Sequence, residues 1–269
     1  MRHLLWRLLR LPVDDYLAAL VPFGEQFTAG RFCALLASAV ACWWVYVPLH
    51  ELAHAYGCLL GGGTVTQLDI DAMYGAALLQ GIFPFVHVGS EYAGRLSGFD
   101  TGGNDATYLL TDLLPFVGTI LLGVPLLRAA ARPGQRPLAQ AILFGAALPL
   151  ALAPFGSLTG DYYEMGAILV SRLAALLRPG FDLGRWRGDD FFKLVSEHFG
   201  AGGAGGLLDG LGMGAALLVG CILAWLTYAA GAAWSVAIER WPAGGHRGDP
   251  RHRGDPRDPG DSPNPGDLH

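Results

Sequence analysis

The sequence contains few charged residues, a single lysine and four scattered cysteines. Charged side chains make up 15% of the chain against 52% hydrophobic ones, whereas soluble domains carry about 25% charged residues. This shortage of charge excludes an ordinary soluble domain and predicts an integral membrane protein. The formal net charge of −5 gives no support to a basic surface that binds nucleic acid. The cysteines form no Cys-x-x-Cys pair, so neither a disulfide framework nor a cysteine zinc site is indicated.

Apolar runs of about 20 residues match the hydrocarbon core of a bilayer. The first extends from Phe32 to Leu60, and four more follow at residues 109–127, 138–155, 162–177 and 213–238. Between the first two, Thr64–Ile70 and Ala76–Leu79 are strand-like. The sequence therefore predicts an all-α polytopic membrane protein with about five transmembrane helices and a small β-hairpin after the first span. Four prolines in the later spans are expected to kink or break helices: Pro115, Pro125, Pro149 and Pro154.

The chain divides into four predicted parts. In residues 1–31, leucines and arginines of the first turns fall on opposite helical faces, which indicates a helix that lies on the membrane or packs on its own protein. Residues 32–178 form the core. Residues 179–240 hold an amphiphilic loop, with a short surface helix near 189–199, and the last transmembrane helix. Residues 241–269 are nearly free of apolar side chains and repeat His-Arg-Gly-Asp-Pro, so we expect a disordered tail.

The only charged residue in the first span is Glu51, within His50-Glu51-Leu52-Ala53-His54. Four residues advance a helix by about 400°, so both imidazoles point the same way and can hold one metal ion. Glu51 lies beside that face, where it could take a proton from a metal-bound water. The alternative is three polar residues packed between helices without a metal, each of which would still need a partner. The pattern favours a zinc site with Glu51 as the catalytic base.

A catalytic zinc ion usually has three protein ligands and a water, so one more ligand is expected. Asp161 is our first choice because it follows a Gly- and Pro-containing break and opens the apolar segment 162–177. Irregular backbone at membrane depth is tolerated where it lines a cavity or is buried in protein. The alternative is that Asp161 caps that helix. Glu164, one turn further on the same face, is the second candidate ligand or a supporting partner, and Asp112 is the third.

These motifs resemble the site-2 protease family of intramembrane zinc metalloproteases over about residues 32–177. The resemblance is carried by residues 50–65, where the zinc motif runs into glycines and a strand, and by the Asp161 segment. That segment reads Thr159-Gly-Asp-Tyr-Tyr instead of the family's usual Leu-Asp-Gly core, and the usual Gly-Pro-x-x-Asn signature is not found in the second span.

The resemblance implies a zinc metalloendopeptidase in a bilayer, most simply the cell membrane, that cleaves transmembrane segments of other proteins. In this reading His50, His54 and Asp161 hold Zn²⁺, Glu51 is the base, and the hairpin at 64–79 pairs with an extended substrate strand. Two other classes stay open. A membrane zinc protease of another family would use Glu164 as its third ligand. A non-enzymatic protein would keep a structural or sensing zinc site, closed by a fourth ligand such as Cys58 or His87.

The sequence leaves the orientation in the membrane open. The family resemblance implies that the hairpin side faces the cytoplasm. Residues 61–108 carry one arginine against five acidic residues, however, whereas the loop at 128–137 carries three arginines. The positive-inside rule places that loop in the cytoplasm. With one span between them, residues 61–108 would then lie outside.

Overall fold

The structure, a computed structural model, describes residues 2–188 and 190–240 and is mainly helical. The predicted tail at 241–269 lies outside the described residues. The elements are, in chain order, α1 Arg2–Glu25, α2 Ala29–Leu60, β1 Thr64–Ile70, a 3₁₀ turn Ala72–Tyr74, α3 Ala76–Gln80, β2 Val86–Val88, β3 Gly94–Asp100, α4 Asp105–Leu113, a 3₁₀ turn Leu114–Phe116, a π-helical turn Thr119–Gly123, α5 Val124–Ala130, α6 Pro137–Gly156, α7 Asp161–Leu177, α8 Phe191–Phe199 and α9 Leu207–Arg240.

Four helical stretches of the described chain are long and apolar enough to cross a membrane: Ala29–Leu60, Asp105–Ala130, Pro137–Leu177 and Leu207–Arg240. Their mean hydropathy lies between 1.8 and 2.0, which is the property of a membrane protein. The expected count of about five spans is not confirmed. The predicted segments 138–155 and 162–177 belong to one stretch of 41 residues, because only a short turn separates α6 from α7.

Two of the four prolines coincide with irregular helix, as predicted. The stretch that begins with α4 tightens into the 3₁₀ turn at Pro115 and widens into the π-helical turn just before Pro125. Because proline cannot donate a backbone hydrogen bond, the regular α-helical ladder is interrupted at both places.

The other two prolines, Pro149 and Pro154, lie inside α6, which continues without a break. Pro154 has no N–H to donate to the carbonyl of Leu150, four residues earlier. The hydroxyl of Thr119 donates to that oxygen instead, at 2.6 Å. A neighbouring side chain therefore satisfies the freed carbonyl, which is how membrane helices tolerate proline.

The strands form a three-stranded sheet in the order β2-β1-β3, with β1 in the centre. β1 pairs in parallel with β2 and antiparallel with β3. Leu68 and Ile70 of β1 and Val86 of β2 are fully buried and belong to one cluster with Leu52 and Ala55 of α2. The sheet is thus fixed on the helix that carries the metal-binding motif.

The prediction of a strand at Ala76–Leu79 was wrong, because these residues belong to α3. Alanine and leucine are among the best helix formers, and the local turn chemistry supports a helix. Asp71 accepts a hydrogen bond from the backbone N–H of Met73 at 2.8 Å, and Gly75 adopts a left-handed conformation with φ 78°. A short helix therefore precedes β2, and β3 supplies the antiparallel partner of β1.

Helix α1 ends at Glu25, inside the predicted segment 1–31, and has two apolar faces. Ala19 and Phe23 are buried in a cluster with residues of α5, α6 and α9. Val13, Leu17 and Val21 form an exposed apolar stripe on the other side. The later turns of α1 therefore pack on the protein's own helices, and the exposed stripe has the composition of a surface that contacts lipid.

A glycine brings α4 close to α2 beside the motif. A Cβ at Gly57 would lie 2.5 Å from the carbonyl oxygen of Leu110, closer than real Cβ contacts allow. Only glycine therefore permits this approach of the two backbones. The approach sets the neighbouring carbonyl of Thr111 beside His54.

Candidate metal centre

The two histidines of the motif lie on one face of α2 with their Nε2 atoms together. The Nε2 atoms of His50 and His54 are 3.2 Å apart, as expected for residues one turn apart on a helix. Two nitrogen ligands of a tetrahedral zinc ion are separated by about 3.3 Å. The spacing of the two imidazoles therefore fits a shared metal ion.

Each imidazole is oriented through its other nitrogen. Nδ1 of His50 lies 2.8 Å from the hydroxyl of Tyr46, one turn earlier on α2. Nδ1 of His54 lies 3.0 Å from the backbone carbonyl of Thr111 on α4. With each Nδ1 engaged in this way, Nε2 is the nitrogen left to bind a metal, which is the usual arrangement behind metal-binding histidines.

The Tyr46 hydroxyl gives a prediction about metal affinity. Tyr46→Phe removes the hydrogen-bond acceptor of His50 Nδ1 but keeps the buried ring, so metal affinity should fall by about tenfold while the fold stays intact. Titration with a competing chelator measures this. Tyr163→Phe is the matched control, since Tyr163 is also buried and its hydroxyl donates to the Trp186 carbonyl away from the histidines. Equal metal affinity in the two variants would contradict the role of Tyr46.

Asp161 completes a group of three potential ligands. Its Oδ2 lies 3.7 Å from Nε2 of His50, and its Oδ1 lies 3.7 Å from Nε2 of His54. The ligand atoms of the three residues lie within 4.8 Å of one another. The hydroxyl of Ser157 donates to Asp161 Oδ2 at 2.6 Å and holds the carboxylate in place. The structure thus brings together the three residues chosen from the sequence, and the group could hold a metal ion.

The alternative role of Asp161, as the cap of α7, was wrong. The N-cap position is Gly160, which has no side chain to make a capping hydrogen bond, and Asp161 is the first residue inside the helix.

Phe116 packs between α2 and α7, the two helices that carry the potential ligands. Its ring centroid lies 5.4 Å from that of His50 and 4.5 Å from that of Tyr162, so it spaces α7 from α2.

The motif opens into a cavity of about 870 Å³. Glu51 lines it together with both histidines. Gly94 of β3 leaves room for the Glu51 side chain, because a Cβ at this position would collide with Glu51 Cγ. Other walls come from α4, α7, Arg187, Gly188, Asp190, Phe192 and Lys193. Glu51, a carboxylate that can carry a proton, therefore lines the same cavity as the potential metal-binding group. The volume of this cavity is in the range of ligand pockets.

The edge strand β3, which lines the cavity, is fastened to β1 by polar side chains. The Ser97 hydroxyl of β3 donates to Asp69 Oδ2 of β1 at 2.5 Å, and within β1 the Gln67 amide supports Asp69 by donating to its Oδ1 at 2.9 Å. Burial alone would raise the pKa of Asp69, but these hydrogen bonds outweigh it and hold the pKa below its ordinary value. Asp69 therefore stays a charged acceptor for the strand that borders the cavity.

The segment before α8, which supplies Arg187 and Gly188 to the cavity wall, is tied to distant helices. Arg187 donates two hydrogen bonds of 2.9 Å to Asp105 at the start of α4. Next to it, the buried Trp186 donates to Asp209 of α9 at 3.3 Å. Arg185 also pairs with Asp209. These contacts fix the segment before α8. The observed helix α8, Phe191–Phe199, confirms the short helix predicted near 189–199.

Glu164 and Asp112, the second and third candidate ligands, line the cavity but do not join the group. Glu164 accepts a hydrogen bond from the hydroxyl of Tyr108 at 2.7 Å. Asp112 is buried, and its Oδ2 has no hydrogen-bond partner among the described residues. Within residues 2–188 and 190–240, the three-residue donor group is the one that contains Asp161.

The two residues considered as a fourth ligand lie elsewhere. The thiol of Cys58 donates toward the Thr64 carbonyl at 3.5 Å, at the end of α2. His87 is exposed on β2, with Nδ1 3.1 Å from the Phe85 carbonyl. Neither belongs to the donor group, so a site closed by four protein ligands is not found in the described part of the chain.

Three residues of the site were missed by the sequence analysis. Tyr46 had a signal, since it precedes His50 by four residues and so shares its helical face. Ser157 and Gly94 had none. Their contacts with Asp161 and Glu51 depend on the turn before α7 and on the position of β3, which no local pattern specifies.

No protein-family model, curated protein or solved structure matches this chain. The function is therefore inferred from the residues of the site.

Proposed function

We propose that this chain is a membrane zinc metalloprotease that hydrolyses peptide bonds in or near transmembrane segments of other proteins. One observation carries the proposal: His50, His54 and Asp161 form a three-donor group on apolar helices, beside Glu51 and a cavity. Catalytic zinc sites have three protein ligands and keep one position open, whereas structural sites are closed by four. Two imidazoles and one carboxylate suit zinc, and the likeness to the site-2 protease motifs agrees with this choice.

The residues of the site divide the chemistry between them. Bound zinc supplies a Lewis acid that polarises the scissile carbonyl and acidifies a water. Glu51 accepts the proton of the attacking water and returns it to the nitrogen of the leaving amine. Tyr46 and the Thr111 carbonyl keep the two imidazoles oriented, and Ser157 does the same for the carboxylate.

The substrate strand is expected to pair with β3. We expected the region 64–79 to pair with it, but both edges of β1 are already occupied. β3 is an edge strand, and its residues 94–97 and Phe99 line the cavity. A helical substrate hides its carbonyls in hydrogen bonds, and an extended segment added to β3 would present them to the site.

Metal content and proteolysis together test the proposal. The purified chain should hold about one zinc ion and cleave a reporter transmembrane protein in proteoliposomes. His50→Ala should lose most of the metal and all of the cleavage, because one of three ligands is gone. Metal analysis and mass spectrometry of the products are the measurements. Equal zinc content in the wild-type chain and His50→Ala would refute the metal site, and zinc without cleavage would refute the protease.

Gly94→Ala should separate catalysis from metal binding. The new Cβ collides with the Glu51 side chain, so the carboxylate must move, while the three ligands are untouched. Cleavage should fall by about 100-fold, the size of a general-base contribution, with full metal content. Gly118→Ala is the control, because its Cβ would meet only Leu150 at an ordinary 3.8 Å. The assignment of Glu51 is weakened if the two variants cleave at the same rate.

A further inference from the structure

The cavity contains more carboxylates than the proposed reaction uses. Asp112 of α4 and Glu164 of α7 both line it and are only 4% and 8% exposed. α4 and α7 pack against each other, which brings the two residues to the same part of the cavity. Neither has a task in metal binding or proton transfer as derived above.

Asp112 is the unusual member of this pair. Its Oδ2 has no hydrogen-bond partner among the described residues. Arg187, a cation in the same wall, is engaged with Asp105 instead. A buried carboxylate oxygen without a partner is costly, and a cationic group that enters the cavity can donate a charge-assisted hydrogen bond to it.

A second metal ion is the less suitable occupant. In the described ranges 2–188 and 190–240, no further group of three His, Cys, Asp or Glu donors lies close enough to hold one. An ammonium or guanidinium group needs fewer fixed ligands. It donates several charge-assisted hydrogen bonds and can bridge two carboxylates.

We propose that Asp112 and Glu164 form a subsite for a cationic side chain of the substrate, a lysine or arginine near the bond that is cleaved. The hydroxyl of Tyr108, which donates to Glu164 Oε1, orients one carboxylate, and Asp112 supplies an oxygen that has no hydrogen-bond partner among the described residues. The inference rests on the proposed function and adds a substrate preference to it.

Cleavage of matched substrates tests the subsite. The test compares reporter transmembrane proteins that carry either arginine or glutamine at each position around the cleaved bond. The wild-type chain should prefer arginine at one position by about tenfold in kcat/KM, the value of one charge-assisted hydrogen bond. Asp112→Asn and Glu164→Gln should each reduce that ratio toward one while keeping the metal. Asp14→Asn, which removes an exposed charge on α1, should keep the ratio. A ratio unchanged in both cavity variants would overturn the proposal.

A binding measurement separates this inference from the proposed function. Glu51→Gln protein is titrated with a short fluorescent peptide amide that carries one arginine, and with the same peptide carrying citrulline, its neutral isostere. The subsite is supported if Glu51→Gln protein binds the arginine peptide more tightly than the citrulline peptide and if adding Asp112→Asn removes this difference. This result holds even if no variant cleaves any substrate. Equal affinity for the two peptides, or no binding of either, refutes the subsite whatever the chain cleaves.

Discussion

Glu51→Gln should hold a full complement of metal and lose peptide hydrolysis. The change keeps the size of the side chain and its place beside Gly94, but an amide cannot accept the proton of the attacking water. General-base catalysis contributes about 10²–10⁴-fold in rate, so cleavage should fall by at least this range. Metal content remains because Glu51 is not in the donor group of His50, His54 and Asp161.

The measurement pairs metal analysis with initial cleavage rates in proteoliposomes. His54→Ala is the comparison variant, since it removes a ligand and should lose both metal and activity. The two variants together distinguish a failed proton acceptor from a failed metal site. Wild-type cleavage by Glu51→Gln would end the protease assignment, whereas loss of metal in this variant would mean that Glu51 is a ligand.

The part of the site that lies on α2 was predictable because its geometry is local. A helix of known pitch fixes the relation between His50 and His54, and the surrounding apolar run fixes the helix. The observed Nε2 separation of 3.2 Å follows directly. Tyr46 could have been found by the same reasoning applied one turn earlier.

Asp161 could be selected but not placed from the sequence. The break before the apolar segment 162–177 indicated a carboxylate at a helix start, which favoured a ligand but left a cap open. The two roles are separated by tertiary contacts. Gly160 takes the cap position, and Phe116 spaces α7 from the histidines.

The sheet and the walls of the cavity were beyond local reasoning. The pattern at 64–70 was sufficient for β1, but the apolar residues at 76–79 suit a helix as well as a strand. Arg187, which lines the cavity, is held by Asp105, a residue far from it in sequence. Such pairs leave no periodic signal.

The sheet, the cavity wall and the ligand group depend on one another through α4. Its backbone touches α2 at Gly57, its Thr111 carbonyl orients His54, and its first residue, Asp105, anchors the segment before α8. A helix of nine residues therefore links metal geometry to substrate space. Substitutions of Asp105 are expected to change the shape of the cavity more than the geometry of the three potential metal ligands, because the ligands themselves lie on α2 and α7.

Asp161→Asn should abolish both metal binding and cleavage. Asparagine keeps the shape of the side chain and can still accept a hydrogen bond from Ser157, but it loses the charge that partly neutralises zinc. Removal of an orienting group behind a ligand costs about 10–100-fold in metal affinity, so neutralising the ligand itself should cost more than about 100-fold. Chelator competition measures the affinity, and the proteoliposome assay measures cleavage.

Glu164→Gln is the matched control for this variant, since it also neutralises a buried carboxylate of α7 that lines the same cavity. Because Glu164 is outside the donor group, its variant should keep wild-type zinc affinity and cleave substrates that lack a basic residue near the cut. The reverse pattern, with metal lost in Glu164→Gln and kept in Asp161→Asn, would transfer the third ligand to Glu164 and place the chain with zinc proteases of another architecture. Loss in both variants would indicate that the negative charge of α7 as a whole, and not one ligand, holds the metal.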